Sequence, residues 1–256
     1  MRKTSLLAGL VLLLAAGCGK KDFDERLPLQ LPPLPDGEIS RYEIGTPAGP
    51  IGRMVTGVTI DWYGEIPVFI LDLVSRTMTG DVESVDSSII VMRQHDLRPI
   101  SAFRFIKTGA ALVTTAANYG DNSIAVSTWL HTGQDEQRLL PMTAKTYDTD
   151  QLTFVGRALR LDPKRPAKIA VAEPIGPPFG GGIRPGEFRG LGDETVTVPA
   201  GSFSCRKVGL TVGDNEVELW YEKAGTGRLV RYFSTGSGIT LELLPSAALE
   251  LVPRED

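Results

Sequence analysis

From residue 38 onward the chain consists of short stretches in which apolar and polar residues alternate, separated by turn residues. Val217, Leu219 and Tyr221 occupy every second position of one such stretch, and Gly213 and Gly236 mark turns on either side of it. A two-residue period is typical of a strand that buries one face. Because strands joined by short turns pair antiparallel, the pattern predicts a mainly β chain built on an antiparallel sheet.

One segment departs from this rhythm and has the spacing of an amphipathic helix. Asp148 can accept a hydrogen bond from a free backbone N–H group, and Gln151 stands three residues later, as in a capping box. Pro163 cannot continue a helix. We therefore expect a helix that begins at Thr149 and ends at Leu161. Its predicted buried face consists of Leu152, Val155, Ala158 and Leu159, which follow the helical period.

A stretch rich in proline and glycine runs from Pro174 to Gly192 and predicts a long loop. Its glycine triplet, residues 180–182, lacks the Gly-Lys-Ser/Thr ending of a phosphate-binding loop, and no helix pattern follows it. Phosphate binding is therefore not indicated. Long loops without secondary structure are usually functional or mobile, so this segment is a candidate for docking a protein.

Residues 198–201 (Val-Pro-Ala-Gly) predict a tight hairpin corner with Gly201 at positive φ, because proline presets the first turn residue and glycine tolerates the left-handed region. Phe203 and Cys205 then share one side of the returning strand, which we expect to be the interior. The apolar residues that follow are out of phase with this pair. The pattern thus predicts a β-bulge at residues 206–207.

The N-terminus has the pattern of a secretory signal peptide over residues 1–17. Two basic residues precede an apolar run at residues 6–16, which is too short to span about 30 Å of hydrocarbon. The small residues before Cys18 resemble a bacterial lipobox, in which the cysteine is acylated and becomes the first mature residue. An ordinary signal peptide with an incidental cysteine is the alternative. Gly19, in place of Asp, favours the outer membrane over the inner one.

The sequence after the signal peptide divides into a tether and a single domain. Residues 18–37 are rich in proline and predict an extended, lipid-anchored tether, although its alternating leucines leave open that part of it packs on the domain. Residues 38–252 are expected to form one β-rich domain. The chain carries 27 basic and 31 acidic residues, a net charge of −4. This balance argues against a nucleic-acid partner, which would require a basic patch.

Residues capable of catalysis or metal binding are few and scattered. The two histidines, His95 and His131, each stand beside a predicted turn, and the sequence has no strained nucleophile elbow. Asp148 and Asp150 are read as a helix start in preference to a calcium site. Once Cys18 is acylated, Cys205 is a lone thiol, read as a small buried residue. We therefore expect no catalytic residue, no metal site and no cofactor.

Several segments resemble an uncharacterised family of bacterial envelope β-proteins that is known only as a domain of unknown function. The resemblance extends over roughly residues 41–244, and the Val-Pro-Ala-Gly-Ser-Phe hairpin is its most specific part. It implies a curved antiparallel sheet or half-open β-barrel with the helix on its concave face, similar to the periplasmic lipoprotein carriers. It brings no catalytic residues. The segments are residues 97–99, 147–152, 157–159, 194–205, 219–221 and 227–232.

Together these observations predict a lipid-anchored protein of the bacterial cell envelope, on the periplasmic face of the outer membrane, that reaches the membrane through Cys18. The first functional hypothesis is a non-catalytic binding module that takes a hydrophobic ligand or an envelope partner in the cleft between sheet and helix. The second is a structural or assembly lipoprotein with a packed cleft. The third is an envelope hydrolase. The absence of catalytic motifs from the sequence argues against this third hypothesis.

Overall fold

The computed structural model describes residues 27–133, 135–175 and 181–246. The predicted signal peptide, Cys18, the first part of the tether and residues 247–252 lie outside the described residues. Within them are fifteen strands, a 3₁₀ turn (Thr149–Gln151) and one α-helix, α1 (Leu152–Ala158). The strands are β1 (Glu38–Thr46), β2 (Gly49–Tyr63), β3 (Ile66–Thr79), β4 (Val82–Arg93), β5 (Pro99–Thr108), β6 (Ala111–Tyr119), β7 (Ser123–Leu130), β8 (Asp135–Pro141), β9 (Thr146–Asp148), β10 (Ala167–Glu173), β11 (Gly182–Val198), β12 (Gly201–Val212), β13 (Asn215–Glu222), β14 (Leu229–Ser234) and β15 (Thr240–Leu243).

All fifteen strands belong to one sheet, in the order β8-β7-β6-β5-β4-β3-β2-β1-β15-β14-β13-β12-β11-β10-β9. Every pairing is antiparallel except that of β9 with β10. The edge strand β8 contacts the part of the chain between β10 and β11. Arg138 on β8 donates to the carbonyl oxygens of Pro174 and Gly181 at 3.0 and 3.2 Å. The predicted curved sheet, or half-open barrel, is confirmed.

Helix α1 packs inside the curve of the sheet. The rings of Phe154 on α1 and Phe69 on β3 lie 5.7 Å apart, and the hydroxyl of Tyr221 on β13 donates to the carbonyl oxygen of Thr153 at 2.7 Å. The helix thus contacts strands from both halves of the sheet. The predicted buried face is confirmed, since Leu152, Val155, Ala158 and Leu159 are all buried.

The helix is shorter than the sequence predicts, because it ends at Ala158 instead of Leu161. Leu159 is already extended, with φ −76° and ψ 130°, and forms a β-bridge with Leu29. The backbone N–H of Gln30 donates to the carbonyl oxygen of Ala158 at 2.6 Å. Residues from the predicted tether therefore take over hydrogen bonds that a further helical turn would have made. The described part of that tether packs on the domain.

The predicted loop from Pro174 to Gly192 is wrong over most of its length. β11 begins at Gly182, which pairs with Glu173 at the end of β10. Gly186 has a packing role in the strand, because a Cβ there would lie 2.7 Å from Cγ2 of Val171 on the neighbouring strand. The sequence indicates a turn at this glycine, whereas in the structure its missing side chain makes room for the side chains of β10.

The predicted hairpin corner is confirmed, because Gly201 has φ +128°. Cys205 is fully buried and Phe203 is half-buried against the core. The predicted β-bulge at residues 206–207 is wrong. The pairing shifts in the facing strand instead, where Leu191 is the extra residue between Gly190 and Gly192. Gly192 has φ +99°, so the strand that offers a glycine accommodates the irregularity.

Within the described residues, no helix is long and apolar enough to cross a membrane.

Candidate functional site

The cleft between sheet and helix, where the sequence places a possible ligand, is largely filled. The cavity there has a volume of about 40 Å³. Since one water molecule needs about 10–15 Å³ of such space, the cavity accommodates a few waters and no acyl chain. Its walls come from β1–β3, β13–β15 and the helix; they include Tyr42, Met54, Leu73, Phe154, Tyr221 and Leu241.

Two tyrosine hydroxyls in this cleft fix the helix and β14 by hydrogen bonds. Tyr221 donates to the helix at Thr153, and Tyr42 donates to the carbonyl oxygen of Leu229 at 3.0 Å. Burial raises the pKa of Tyr42 to about 12 and raises the pKa of Tyr221 still further. Both hydroxyls therefore keep their protons and act as hydrogen-bond donors in the packed interior.

An ion pair joins the last turn of the helix to the start of β1. Arg157 donates to both carboxylate oxygens of Glu38, at 2.6 and 2.9 Å, and also to the carbonyl oxygen of Thr226. Burial alone would raise the pKa of Glu38, but the hydrogen bonds and charge of Arg157 outweigh it, so this pKa is lowered. The Glu38 carboxylate therefore stays ionised, and the pair fixes the helix against β1 and the loop between β13 and β14.

A polar cluster fixes the other end of the helix. Asp148 accepts from the backbone N–H of Asp150 and from the hydroxyl of Tyr119. Asp150 accepts from Ser88 Oγ at 2.6 Å and lies 3.5 Å from Arg104. The predicted capping box is confirmed, since Gln151 completes it.

The environment of the cluster favours the protonated form of its carboxyls. Burial, and then the charge of Asp150, raise the pKa of Asp148 to about 7. Burial also raises the pKa of Asp150, against the opposing effects of Arg104 and Ser88. The adjacent cavity measures only about 10 Å³, so no substrate fits beside these groups. The contacts of these two carboxyls with side chains of the sheet hold the start of the helix in place.

The remaining residues considered for chemistry are far apart. His95 lies in the exposed turn between β4 and β5, with Nε2 3.3 Å from Asp96, and His131 follows β7 at the opposite end of the sheet. Burial raises the pKa of the Cys205 thiol to about 11, which disfavours the nucleophilic thiolate. Among residues 27–133, 135–175 and 181–246, no three His, Cys, Asp or Glu side chains are grouped to hold a metal ion.

A larger concave site lies at the C-terminal end of the helix, where the chain enters the domain. We call it the N-terminal groove; its volume is about 660 Å³. Leu31, Pro32 and Leu161 contribute apolar surface, and the described basic residues Arg160 and Lys223 stand among its walls. The residues that form it are Gln30, Leu31, Pro32, Pro33, Arg157, Leu159, Arg160, Leu161, Asp193, Arg206, Glu222, Lys223, Gly225 and Gly227.

The charges of the N-terminal groove are not all neutralised. Lys223 Nζ lies 2.5 Å from Asp193, and Arg206 donates to the carbonyl oxygens of Gly156 and Leu159 at the end of the helix. Arg160 is exposed and forms no ion pair with the described residues. The groove therefore combines an apolar surface with an available cation. Sequence reasoning missed it, because its parts come from five separate stretches of the chain.

Comparison with solved structures gives one match of similar fold and one weaker match. A β-barrel-like protein of the domain of unknown function DUF1849 from Brucella abortus matches with a TM-score of 0.55 and 9% identity, over 85% of this chain and 98% of that one. A putative exported protein with a YmcC-like fold from Bacteroides fragilis covers the same shares at a TM-score of 0.29 and 11% identity. At 9% identity the likeness to the Brucella abortus protein concerns the fold alone, and no conclusion follows from the match with a TM-score of 0.29.

No curated protein matches the chain. The family model described as "Protein of unknown function (DUF3108)" matches residues 38–243, from the first residue of β1 to the last residue of β15. The match thus includes the whole sheet and the helix inside it. The chain belongs to the DUF3108 family.

Proposed function

We propose that this protein is a lipid-anchored, non-catalytic binding module of the bacterial envelope, and that it binds an amphiphilic ligand in the N-terminal groove. The observation that carries the proposal is the groove itself: about 660 Å³ of space beside an interior cavity of only about 40 Å³. Small-molecule sites are typically concave and mostly apolar, with a few polar groups that fix orientation, and measure about 300–1,000 Å³.

The residues of the groove favour an elongated apolar molecule with an anionic end. Leu31, Pro32 and Leu161 would contact the apolar part, and Arg160 would pair with the anionic group. The acyl chains of the envelope provide ligands of this chemistry. The proposed binding site is thus the groove at the C-terminal end of the helix, in place of the cleft beneath the helix.

A second candidate is a structural or assembly lipoprotein whose interior is packed solid. The small volume under the helix and the buried pair of Arg157 and Glu38 favour it. In that case the groove would hold a segment of a partner protein and would have no affinity for amphiphiles. A hydrolase is not proposed, because the buried carboxyls Asp148 and Asp150 have no space for a substrate next to them.

Binding of a fluorescent probe tests the groove. Dansyl-aminoundecanoate has a long apolar chain and a carboxylate, and its methyl ester serves as the neutral comparison. With a chain that begins at residue 19, we expect Arg160→Glu to weaken binding of the acid by about tenfold or more, equivalent to about 1.4 kcal/mol. Arg76→Glu, at an exposed position on β3, is the matched control and should bind as the wild type does. Equal binding by all three proteins would refute the groove.

The lipid anchor needs a separate experiment. Cys18→Ser removes the sulfur to which diacylglycerol would be attached, so radiolabelled palmitate should mark the wild type and leave the variant unlabelled. The variant should also leave the membrane fraction or remain unprocessed. A wild type without acyl label would overturn the anchor, the envelope location that follows from it and the proposed position on the outer membrane.

A further inference from the structure

The tip of the β2–β3 hairpin exposes a concentrated set of large apolar side chains. Trp62 and Tyr63 are 65% and 56% exposed, and Ile60 and Ile66 are each 40% exposed. The strands pair up to Tyr63 and Ile66, and Gly64 takes φ +62° in the two-residue turn, which gives a well-defined hairpin. Tryptophan and tyrosine at the end of a rigid hairpin are side chains suited to the membrane–water interface.

This tip lies at the end of the domain where the N-terminal segment arrives. The carboxylate of Asp36 accepts from the backbone N–H of Ile60 at 2.9 Å, and Glu38 at the start of β1 pairs with Val58. Glu38 in turn holds Arg157 at the end of the helix, next to the bridge between Leu29 and Leu159. The hairpin tip, the N-terminal groove and the entry of the chain are therefore parts of one end of the molecule.

The length of chain before this end limits its distance from an anchor. Leu27 is the ninth residue after Cys18, and nine residues extend to at most about 30–32 Å. An acylated Cys18 would hold this end of the domain within that distance of the lipid surface. Thus the proposed anchor brings the end with the exposed Trp62 towards the bilayer.

We propose that the β2–β3 hairpin tip inserts Trp62 and Tyr63 into the interfacial region of the same membrane to which the chain is anchored. The inference rests on the proposed lipid anchor. Its occupant is a phospholipid surface without net charge, since Asp61 and Glu65 flank the aromatic residues and would repel anionic headgroups. The contact would fix the orientation of the domain and open the N-terminal groove towards the bilayer.

Quenching of tryptophan fluorescence by brominated lipid tests the contact. The full chain, purified from bacterial membranes, is mixed with an excess of phosphatidylcholine vesicles with brominated acyl chains. The chain has three tryptophans, of which Trp220 is buried and Trp129 is 42% exposed on β7. We expect quenching in the wild type and in Trp129→Phe, and loss of most of it in Trp62→Phe. The two variants are matched, because each replaces one exposed tryptophan on the sheet.

The outcomes separate the hairpin contact from the anchor. Quenching that does not depend on Trp62 overturns the contact, whether or not the chain carries an acyl label. Missing acyl label together with Trp62-dependent quenching overturns the anchor and leaves the contact in place. If Trp62→Phe instead abolishes self-association in sedimentation and no quenching occurs, the tip binds a second copy of the chain, which also overturns the proposal.

Discussion

Arg157 on the helix and Glu38 on β1 form a two-point ion pair with N···O distances of 2.6 and 2.9 Å, and both side chains are buried or nearly so. Removing one partner of a buried pair typically costs about 3–5 kcal/mol, because the other charge is left uncompensated. We expect Glu38→Ala to lower the free energy of unfolding by about 3 kcal/mol in urea denaturation.

Two further variants make this prediction specific. The double variant Glu38→Leu with Arg157→Met removes both charges and should recover much of the loss. Glu83→Ala breaks the exposed pair with Arg76 and should change stability by less than about 1 kcal/mol. A similar small loss in Glu38→Ala would show that the pair does not hold the helix.

Gly156 in the helix should resist substitution by alanine. In an exposed helix that change stabilises by about 1 kcal/mol, but here a Cβ would lie 2.5 Å from Oη of Tyr221 and 3.2 Å from Cε1 of Phe188. Overpacking of this kind costs about 1–3 kcal/mol, so we expect Gly156→Ala to lower the midpoint of urea unfolding. Adding Tyr221→Phe removes the clashing hydroxyl and should restore part of the loss. A stabilised Gly156→Ala protein would mean that the helix lies farther from β13.

The hairpin between β11 and β12 offers a comparison of adjacent positions. Gly201 has φ +128°, a conformation that β-branched residues adopt only with strain, whereas Ala200 has no positive φ. Gly201→Val should therefore destabilise the protein more than Ala200→Val, with a difference of about 1 kcal/mol or more. Thermal unfolding of the two variants measures the difference, and equal melting temperatures would contradict the assigned turn.

Asp148 should make stability depend on pH. Its folded pKa of about 7 lies above the ordinary value of 3.8, so the folded state holds this proton more tightly than the unfolded state does. Its contribution to stability is then fully present below about pH 4 and is lost as the pH rises towards 7. Asp148→Asn keeps the cap and cannot titrate. In urea unfolding at pH 5 and pH 8, the wild type should lose more stability than the variant; equal losses would contradict a raised pKa.

The sequence predicted those parts of the fold that are governed by local rules. The capping box of Asp148 and Gln151, the buried face of α1 and the positive φ of Gly201 each depend on a few neighbouring residues. The end of the helix could not be found in this way, since Leu159 pairs with Leu29, more than a hundred residues earlier. The position of the β-bulge also depends on a second strand. The alternation of apolar residues in β12 indicates an irregularity, but the glycine that accommodates it is in β11.

The candidate site was beyond sequence reasoning for a similar reason. Arg160 and Arg206 are brought to one groove only by the curvature of the sheet and by the packing of residues 27–33 across it. Gly186 of β11 gave a misleading signal, because its role is to accommodate the side chains of Ile169 and Val171. The cleft under the helix is filled by side chains from six strands. The spacing of residues along the sequence does not show how these side chains pack.

We expect an amphiphile to bind in the N-terminal groove, at the C-terminal end of the helix, and not in the cleft beneath the helix. Hydrogen exchange measured by mass spectrometry, with and without dansyl-aminoundecanoate, tests it most directly on the chain from residue 19. The account predicts slower exchange at residues 28–33, 157–161 and 223–227, with β2 and β3 unchanged. Slower exchange along the inner strands β2 and β3, with the three groove segments unaffected, would contradict it.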